Sequence, residues 1–203
     1  AVAGDTIQVA EGQYKPDQGA GVTAGDRLAS FVLQDGISLI GGYAGFGALS
    51  PDQYDPETYV TELNGDLLGN DLYGLLNTED NSYHVLTAQG PAWLGTLIKG
   101  VVIKNGRANG SSPDHMGGGL NITEASVVMS SCVLYGNKAA LGGAVAVEQG
   151  NLTMVNSRVS GNGALLYGAG VYALDSSVTL TNCLITGNSG GQAQVIPGSV
   201  LHA

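Results

Sequence analysis

GGGLNITEASVVMSSCVLYGN (Gly117 to Asn137), GGAVAVEQGNLTMVNSRVSGN (Gly142 to Asn162) and GAGVYALDSSVTLTNCLITGN (Gly168 to Asn188) are three copies of one pattern. They align without a gap, and their closing asparagines fall 25 and then 26 residues apart. Self-similarity at a fixed period of this length marks a solenoid, in which each copy buries its apolar face against the next.

Each copy carries three short apolar runs separated by Gly, Ser, Asn and Thr. Leu120/Val145/Val171 and Ile122/Val147/Ala173 flank Asn121/Ala146/Tyr172 in the first run. Val127/Leu152/Val178 and Met129/Met154/Leu180 flank Val128/Thr153/Thr179 in the second. In the third, Cys132/Ser157/Cys183 and Leu134/Val159/Ile185 flank Val133/Arg158/Leu184. Period-2 alternation in runs this short predicts strands with one buried face, and no window supports a helix of ten or more residues. Three strands per coil predict an all-β parallel β-helix, with equivalent residues about 4.8 Å apart along the axis.

That stacking fixes further expectations. Asn137, Asn162 and Asn188 form a ladder of amides at one corner, and Ser131, Asn156 and Asn182 a second. Such ladders satisfy turn backbone groups and hold register, which makes them structural. The paired glycines Gly117-Gly118 and Gly142-Gly143, with Gly168, serve turns that a Cβ would obstruct. Cys132 and Cys183 occupy equivalent positions two coils apart, about 10 Å by the same stacking and beyond disulfide reach. Two buried free thiols are predicted.

With 203 residues and 43% hydrophobic content, one folded domain is expected over 1–203. Residues 1–116 form irregular coils with long loops, 117–188 the regular coils, and 189–203 a tail. The 33 glycines lack collagen spacing and act as turn punctuation. Seven Lys and Arg against 17 Asp and Glu leave a net charge of −10, which argues against nucleic acid and anionic membrane as partners. No signal peptide and no transmembrane run is present, so direct membrane insertion is not expected.

The N-terminal part is read strand by strand. Ala1-Val2-Ala3 reads as a helix end, Ile7 and Val9 as a first strand, and Lys15 to Ala29 as a polar excursion. Strands resume at Phe31 to Leu33, Ser38 to Ile40, Val60 to Leu63, Tyr83 to Thr87 and Leu97 to Ile103. Loops fill Gly41 to Thr58, Asn64 to Asn81 and Arg107 to Met116. Val195-Ile196 and Val200-Leu201 add a last strand or pair with a neighbouring subunit. An amphipathic cap helix, expected over an open β-helix end, is missing, so another molecule or further chain covers it.

GDTIQVAEGQY (Gly4 to Tyr14), FVLQDGISLIGGYAG (Phe31 to Gly45), TELNGDLLGND (Thr61 to Asp71), DNSYHVLT (Asp80 to Thr87) and TLIKGVVIKNG (Thr96 to Gly106) resemble bacterial extracellular right-handed parallel β-helix repeat proteins of the pectin-lyase-like superfamily. The GGGL/GGAV and LYGN/VSGN/ITGN pairs are also similar to the repeats of polymorphic outer-membrane proteins and related adhesins. The resemblance implies a right-handed parallel β-helix and an extracellular or cell-surface location. It leaves lyases, hydrolases, adhesins and scaffolds all open, because that fold hosts each of them.

A lyase or hydrolase of this fold needs carboxylates converging on the outward face of adjacent coils. The outward strand positions of the three copies contain no Asp or Glu. Glu124, Glu148 and Asp175 lie at the first turn, which reads as solvated. Asp114-His115, with Lys99, Lys104 and Arg107 upstream, is the nearest thing to a catalytic pair. His84 sits in a strand-like run and reads as packed or turn-bonding, and His202 carries no signal. No residue is assigned as catalytic. Asp66, Asn70, Asp71, Glu79 and Asp80 offer hard oxygens on a glycine-containing loop, either as turn-forming residues or as a structural Ca²⁺ site centred on Asp66, Asn70, Asp71 and Asp80. Tyr43, Phe46, Tyr54, Tyr59 and Tyr73 either pack the loops or form a carbohydrate platform. The expectation is a non-catalytic structural or adhesive module, self-associating end to end or joined to a larger surface protein. A polysaccharide lyase or glycosidase with its site on the loops is the alternative.

Overall fold

A computed structural model describes residues 1–72, 76–90, 95–190, 193–195 and 200–202, the last two segments by their backbone alone. The chain winds as a parallel β-helix with three long ladders. Seven strands build the first: Thr6–Ala10, Ser38–Tyr43, Thr96–Lys99, Ser126–Ser130, Asn151–Val155, Ser177–Thr181 and Val200–His202. A second ladder holds Phe31–Gln34, Leu86–Gln89, Leu120–Thr123, Val145–Glu148, Val171–Leu174 and Ala193–Val195. The third holds Gly12–Tyr14, Thr61–Asn64, Val101–Lys104, Val133–Tyr135, Arg158–Ser160 and Leu184–Thr186. All pairings between these strands are parallel.

Register follows the repeat. Met129 pairs Met154, which pairs Leu180, and Leu134 pairs Val159, which pairs Ile185. The inward columns form one core, in which Leu86, Ile98, Ile103, Leu120, Ile122, Met129, Leu134 and Met154 have no exposed surface. Burying each such side chain stabilises the fold by roughly 1.5–3 kcal/mol, so the ladders supply most of the hydrophobic stabilisation.

The corners explain the residues between the runs. Glu124, Gln149 and Asp175 at the first turn adopt φ of 53°, 51° and 49°. Ser131, Asn156 and Asn182 at the second have φ of 53°, 50° and 51°. Left-handed backbone favours Asn and Asp, whose side chains bond locally. Glycine serves the third corner, and also closes the coil at Gly117, Gly142 and Gly168. Gly118 answers a different need, since a Cβ there would stand 2.3 Å from the Lys138 carbonyl oxygen.

Several expectations change. A fourth short ladder joins Arg107–Ala108, Lys138–Leu141 and Gly163–Tyr167, so these coils have more than three strands. Its residues follow the asparagine corner, where the alternation is too brief to read. Ala1 to Ala3 are not helical, because Asp5 folds this segment into a turn: its N–H donates to the Val2 carbonyl and its carboxylate accepts from the Val2 N–H. The strand expected from Tyr83 begins at Leu86, since Tyr83 and His84 turn aside to meet Arg27 and Gly117. Asn121, Ala146 and Tyr172 point outward yet are buried. Ala146 and Tyr172 pack with Met116, Leu141 and Leu174 in a second apolar cluster outside the coil. Both cysteines are free, but only Cys132 is buried. Cys183 is half-buried because its coil ends in Leu184–Thr186, the outermost strand of its ladder.

Candidate functional site

The asparagine corner is a continuous hydrogen-bonded column. Asn137 donates from Nδ2 to Asn162 Oδ1 at 3.1 Å, and Asn162 does the same to Asn188 Oδ1 at 3.0 Å. Each Oδ1 also accepts the backbone N–H one coil below, from Gly106, Asn137 and Asn162 respectively. Buried Asn137 Nδ2 and Asn162 Nδ2 reach the carbonyls of Ile103 and Leu134. The second column, at Ser131, Asn156 and Asn182, is exposed, with one amide contact of 2.6 Å from Asn182 Nδ2 to Asn156 Oδ1. The buried column satisfies backbone groups and neighbouring amides, which is structural work, whereas the exposed one makes this single amide contact.

The acidic loop is built around Asp66. Its buried carboxylate accepts N–H groups from Gly69 at 2.7 Å, Asn70 at 3.1 Å and Asp71 at 3.3 Å. Successive backbone N–H groups around one anion form a nest that holds the turn by itself. Asp80 accepts the Leu68 N–H at 3.2 Å, while the Asn70 carbonyl accepts from Asn77. Asp71 Oδ2 accepts from Asn81 Nδ2 at 3.0 Å, and its Oδ1 is buried without a partner. Burial first, then the charges of Asp66 and Asp80, push the Asp71 carboxyl above its usual range against the Asn81 hydrogen bond and Arg107. Asp66, Asn70, Asp71 and Asp80 therefore share one loop, with the first and last turned onto backbone amides. Among the described residues, no group of three or more His, Cys, Asp or Glu is placed to hold a metal ion.

Asp114 does not pair with His115. It lies 3.5 Å from His84 Nε2, while His84 Nδ1 lies 3.1 Å from the Gly117 carbonyl. A carbonyl only accepts, so Nδ1 carries the proton. Burial holds His84 below the usual imidazole range, against the Gly117 bond and the Asp114 charge. The Nδ1 proton ties His84 to Gly117, and Asp114 lies beside Nε2 as a neighbouring charge. His115 faces another way: its Nδ1 is buried without a partner, and its carbonyl accepts from Ala140 and Leu141.

The cations are dispersed as well. Lys99 lies 4.7 Å over the Tyr54 ring, Lys104 bonds Glu62 at 2.7 Å, and Arg107 bonds Glu79 at 2.6 Å and Thr78. Each meets at most one carboxylate, so the convergence a lyase needs does not form at any of the three. Tyr43 and Tyr54 pack edge to face at 5.4 Å, whereas Phe46 is fully exposed, so these aromatics make no shared platform. Tyr73 lies outside the described residues. Sequence reading missed Arg27, which donates to the carbonyls of Asn81 and Arg107 and to Asn109 Oδ1, with its guanidinium 4.2 Å over Tyr83. It lies outside the repeat, and no local signal marks it.

Above the fourth ladder runs a groove of about 510 Å³. Ala108, Ala139 and Ala164 stack in register along its floor, with Arg107 and Lys138 in the adjoining column. His115, Leu165 and Ser189 complete the walls. Burial and the Arg107 charge hold the Lys138 ammonium below the usual lysine range.

No curated protein and no solved structure matches the chain. The model of a right handed beta helix region matches residues 70–201, well over half of the chain, including all three repeats. With parallel ladders wound about one apolar core, the chain belongs to the right-handed β-helix family.

Proposed function

We propose that this β-helix is a non-catalytic structural or adhesive module of a bacterial cell surface, on the pectin-lyase-like pattern. The supporting observation is what its loop carboxylates do. Asp17, Asp26, Asp35, Asp55, Asp66 and Asp80 each accept a backbone N–H at 2.7–3.3 Å. A carboxylate holding a turn in this way is neither aimed at a substrate nor poised to move a proton. The side chains that chemistry would need are those that fix the loops on the rod, and a rigid rod with fixed loops suits presentation. Among the described residues no helix is long and apolar enough to cross a membrane.

Two finer statements belong to the same proposal. The rod self-associates by strand pairing end to end or is joined to a larger surface protein, strand pairing being a recurrent mode of association between sheet edges. Calcium stabilises the acidic loop through Asp71 Oδ1 and Asn81 Oδ1, two buried acceptors without a protein donor. The test of the main reading is incubation with polyuronates and neutral polysaccharides, following unsaturated products by absorbance and new reducing ends by assay. No turnover is expected, and catalytic release of either product overturns the reading. Sedimentation over a concentration series tests association, with a monomer throughout counting against end-to-end stacking.

A further inference from the structure

The groove over the fourth ladder carries an inference beyond that reading. The chain has seven Lys and Arg, and six have a partner. Lys15 bonds the Leu67 carbonyl, Arg158 bonds Ser160, and Arg27, Lys99, Lys104 and Arg107 are placed as above. Among the described residues, the Lys138 ammonium, in the groove, has no hydrogen bond, ion pair or ring contact. His115, whose Nδ1 is buried and partnerless, lines the same space. An unpaired ammonium thus borders the cavity, beside a floor of methyl groups and a leucine, Leu165, that is 83% exposed. A volume of about 510 Å³ is that of a small-molecule site.

We propose that this groove binds a small organic monocarboxylate, its charge against Lys138 and its apolar body over Ala108, Ala139 and Ala164 and against Leu165. Three observations narrow the class. An ammonium pressed by Arg107 gains from an anion, so the ligand is negative. The floor amides are already used: Lys138 donates to Gly106, Gly163 to Asn137, and Ala164 to Ser189. No nest of free N–H groups is left for phosphate, which such nests suit. Glu79, paired with Arg107 and acting on Lys138 as a negative charge, disfavours a second ligand charge. The alanine floor accepts a flat or linear hydrocarbon and offers it no hydrogen bond.

The test titrates the whole chain with benzoate and hexanoate, using benzamide and inorganic phosphate for comparison, and reads alanine methyl resonances. Saturable shifts at Ala139 and Ala164 are expected with both carboxylates. Benzamide should bind about tenfold or more weakly, as expected for loss of a charge-assisted contact. Phosphate should leave these methyls unmoved. Lys138→Met should abolish the preference for benzoate over benzamide, and Lys138→Arg should keep it. Leu165→Ser, at an exposed position, should weaken both carboxylates without disturbing the fold. No saturable shift with either carboxylate, equal binding of benzamide, or an intact preference in Lys138→Met overturns the proposal. Turnover of polysaccharides is read separately, so this result and the scaffold reading fail independently.

Discussion

Asn162→Ala removes the middle of the buried asparagine column, and its cost follows from the bonds broken. The Asn162 Oδ1 accepts from the Asn137 N–H at 3.0 Å and from Asn137 Nδ2 at 3.1 Å, and its Nδ2 donates to the Leu134 carbonyl at 3.0 Å. Asn188 Oδ1 keeps the Asn162 backbone N–H, and Asn137 Nδ2 keeps the Ile103 carbonyl. One buried group is left with nothing, the Asn137 N–H; the Leu134 C=O keeps its ladder bond in the parallel pairing with Arg158–Ser160. The orphaned group costs roughly 1–3 kcal/mol and the other bonds lost about 1 kcal/mol in sum or somewhat more, so the variant should lose about 3–4 kcal/mol. The comparison is Asn182→Ala, in the exposed column, which breaks one solvent-facing amide contact. It also puts alanine at φ 51°, and together these should cost about 1 kcal/mol. Urea unfolding at neutral pH measures both, read as a fall in midpoint at constant slope. Equal losses in the two variants would refute the claim that burial makes one column structural and leaves the other dispensable.

Asp71→Asn should stabilise the protein in chelator at neutral pH. A carboxyl raised in the folded state binds its proton more tightly there, so stability falls as pH rises from the unfolded value through the folded one. The gain should therefore close as pH drops below the ordinary carboxylate range, and adding Ca²⁺ should reverse the order of the two proteins if calcium uses Asp71; thermal melts with and without the ion decide this. Burial pushes the Cys132 thiol up to about 11, so a thiol reagent should label half-buried Cys183 in the native protein and Cys132 only on unfolding, as peptide mass mapping would show. Gly118→Ala forces a Cβ to 2.3 Å from the Lys138 carbonyl and should cost about 2–4 kcal/mol by urea unfolding, whereas Gly161→Ala, at φ 68° with open space, should cost about 1 kcal/mol.

The coil was legible because stacking makes side chains at one interval share one environment. Leu120, Val145 and Val171 must all be apolar, and Asn137, Asn162 and Asn188 must all bond the coil below. Period and alternation carry that information directly. The fourth ladder was illegible because it is set by what the corner allows and not by a buried face: Gly163–Tyr167 reads GALLY, with three exposed large residues in a row. Asp114 was assigned to its neighbour His115 because sequence shows adjacency, whereas His84 reaches it from 30 residues away through the winding of the coil. Asp66 shows the limit most plainly. As a letter it is a ligand or a turn residue alike; only the three N–H groups around it separate the two.

Where the repeat holds, a side chain is already answerable to the coil above and the coil below. Asn162 contacts both neighbours, and Val159 is enclosed by Leu134 and Ile185. Such positions have little freedom to recognise anything else. Where the repeat breaks, that obligation lapses. Gly106 stands in the asparagine column without an amide, the chain then departs through Arg107 to Met116, and the fourth ladder begins. His115 lies on this departure, and Lys138 faces it from the next coil, in register with Arg107. Along the regular coils stability has prior use of the inward and corner side chains, which leaves the outward positions and the departures from the repeat free to recognise a ligand. The groove lies over the fourth ladder, beside that departure, which is why a ligand is to be sought there.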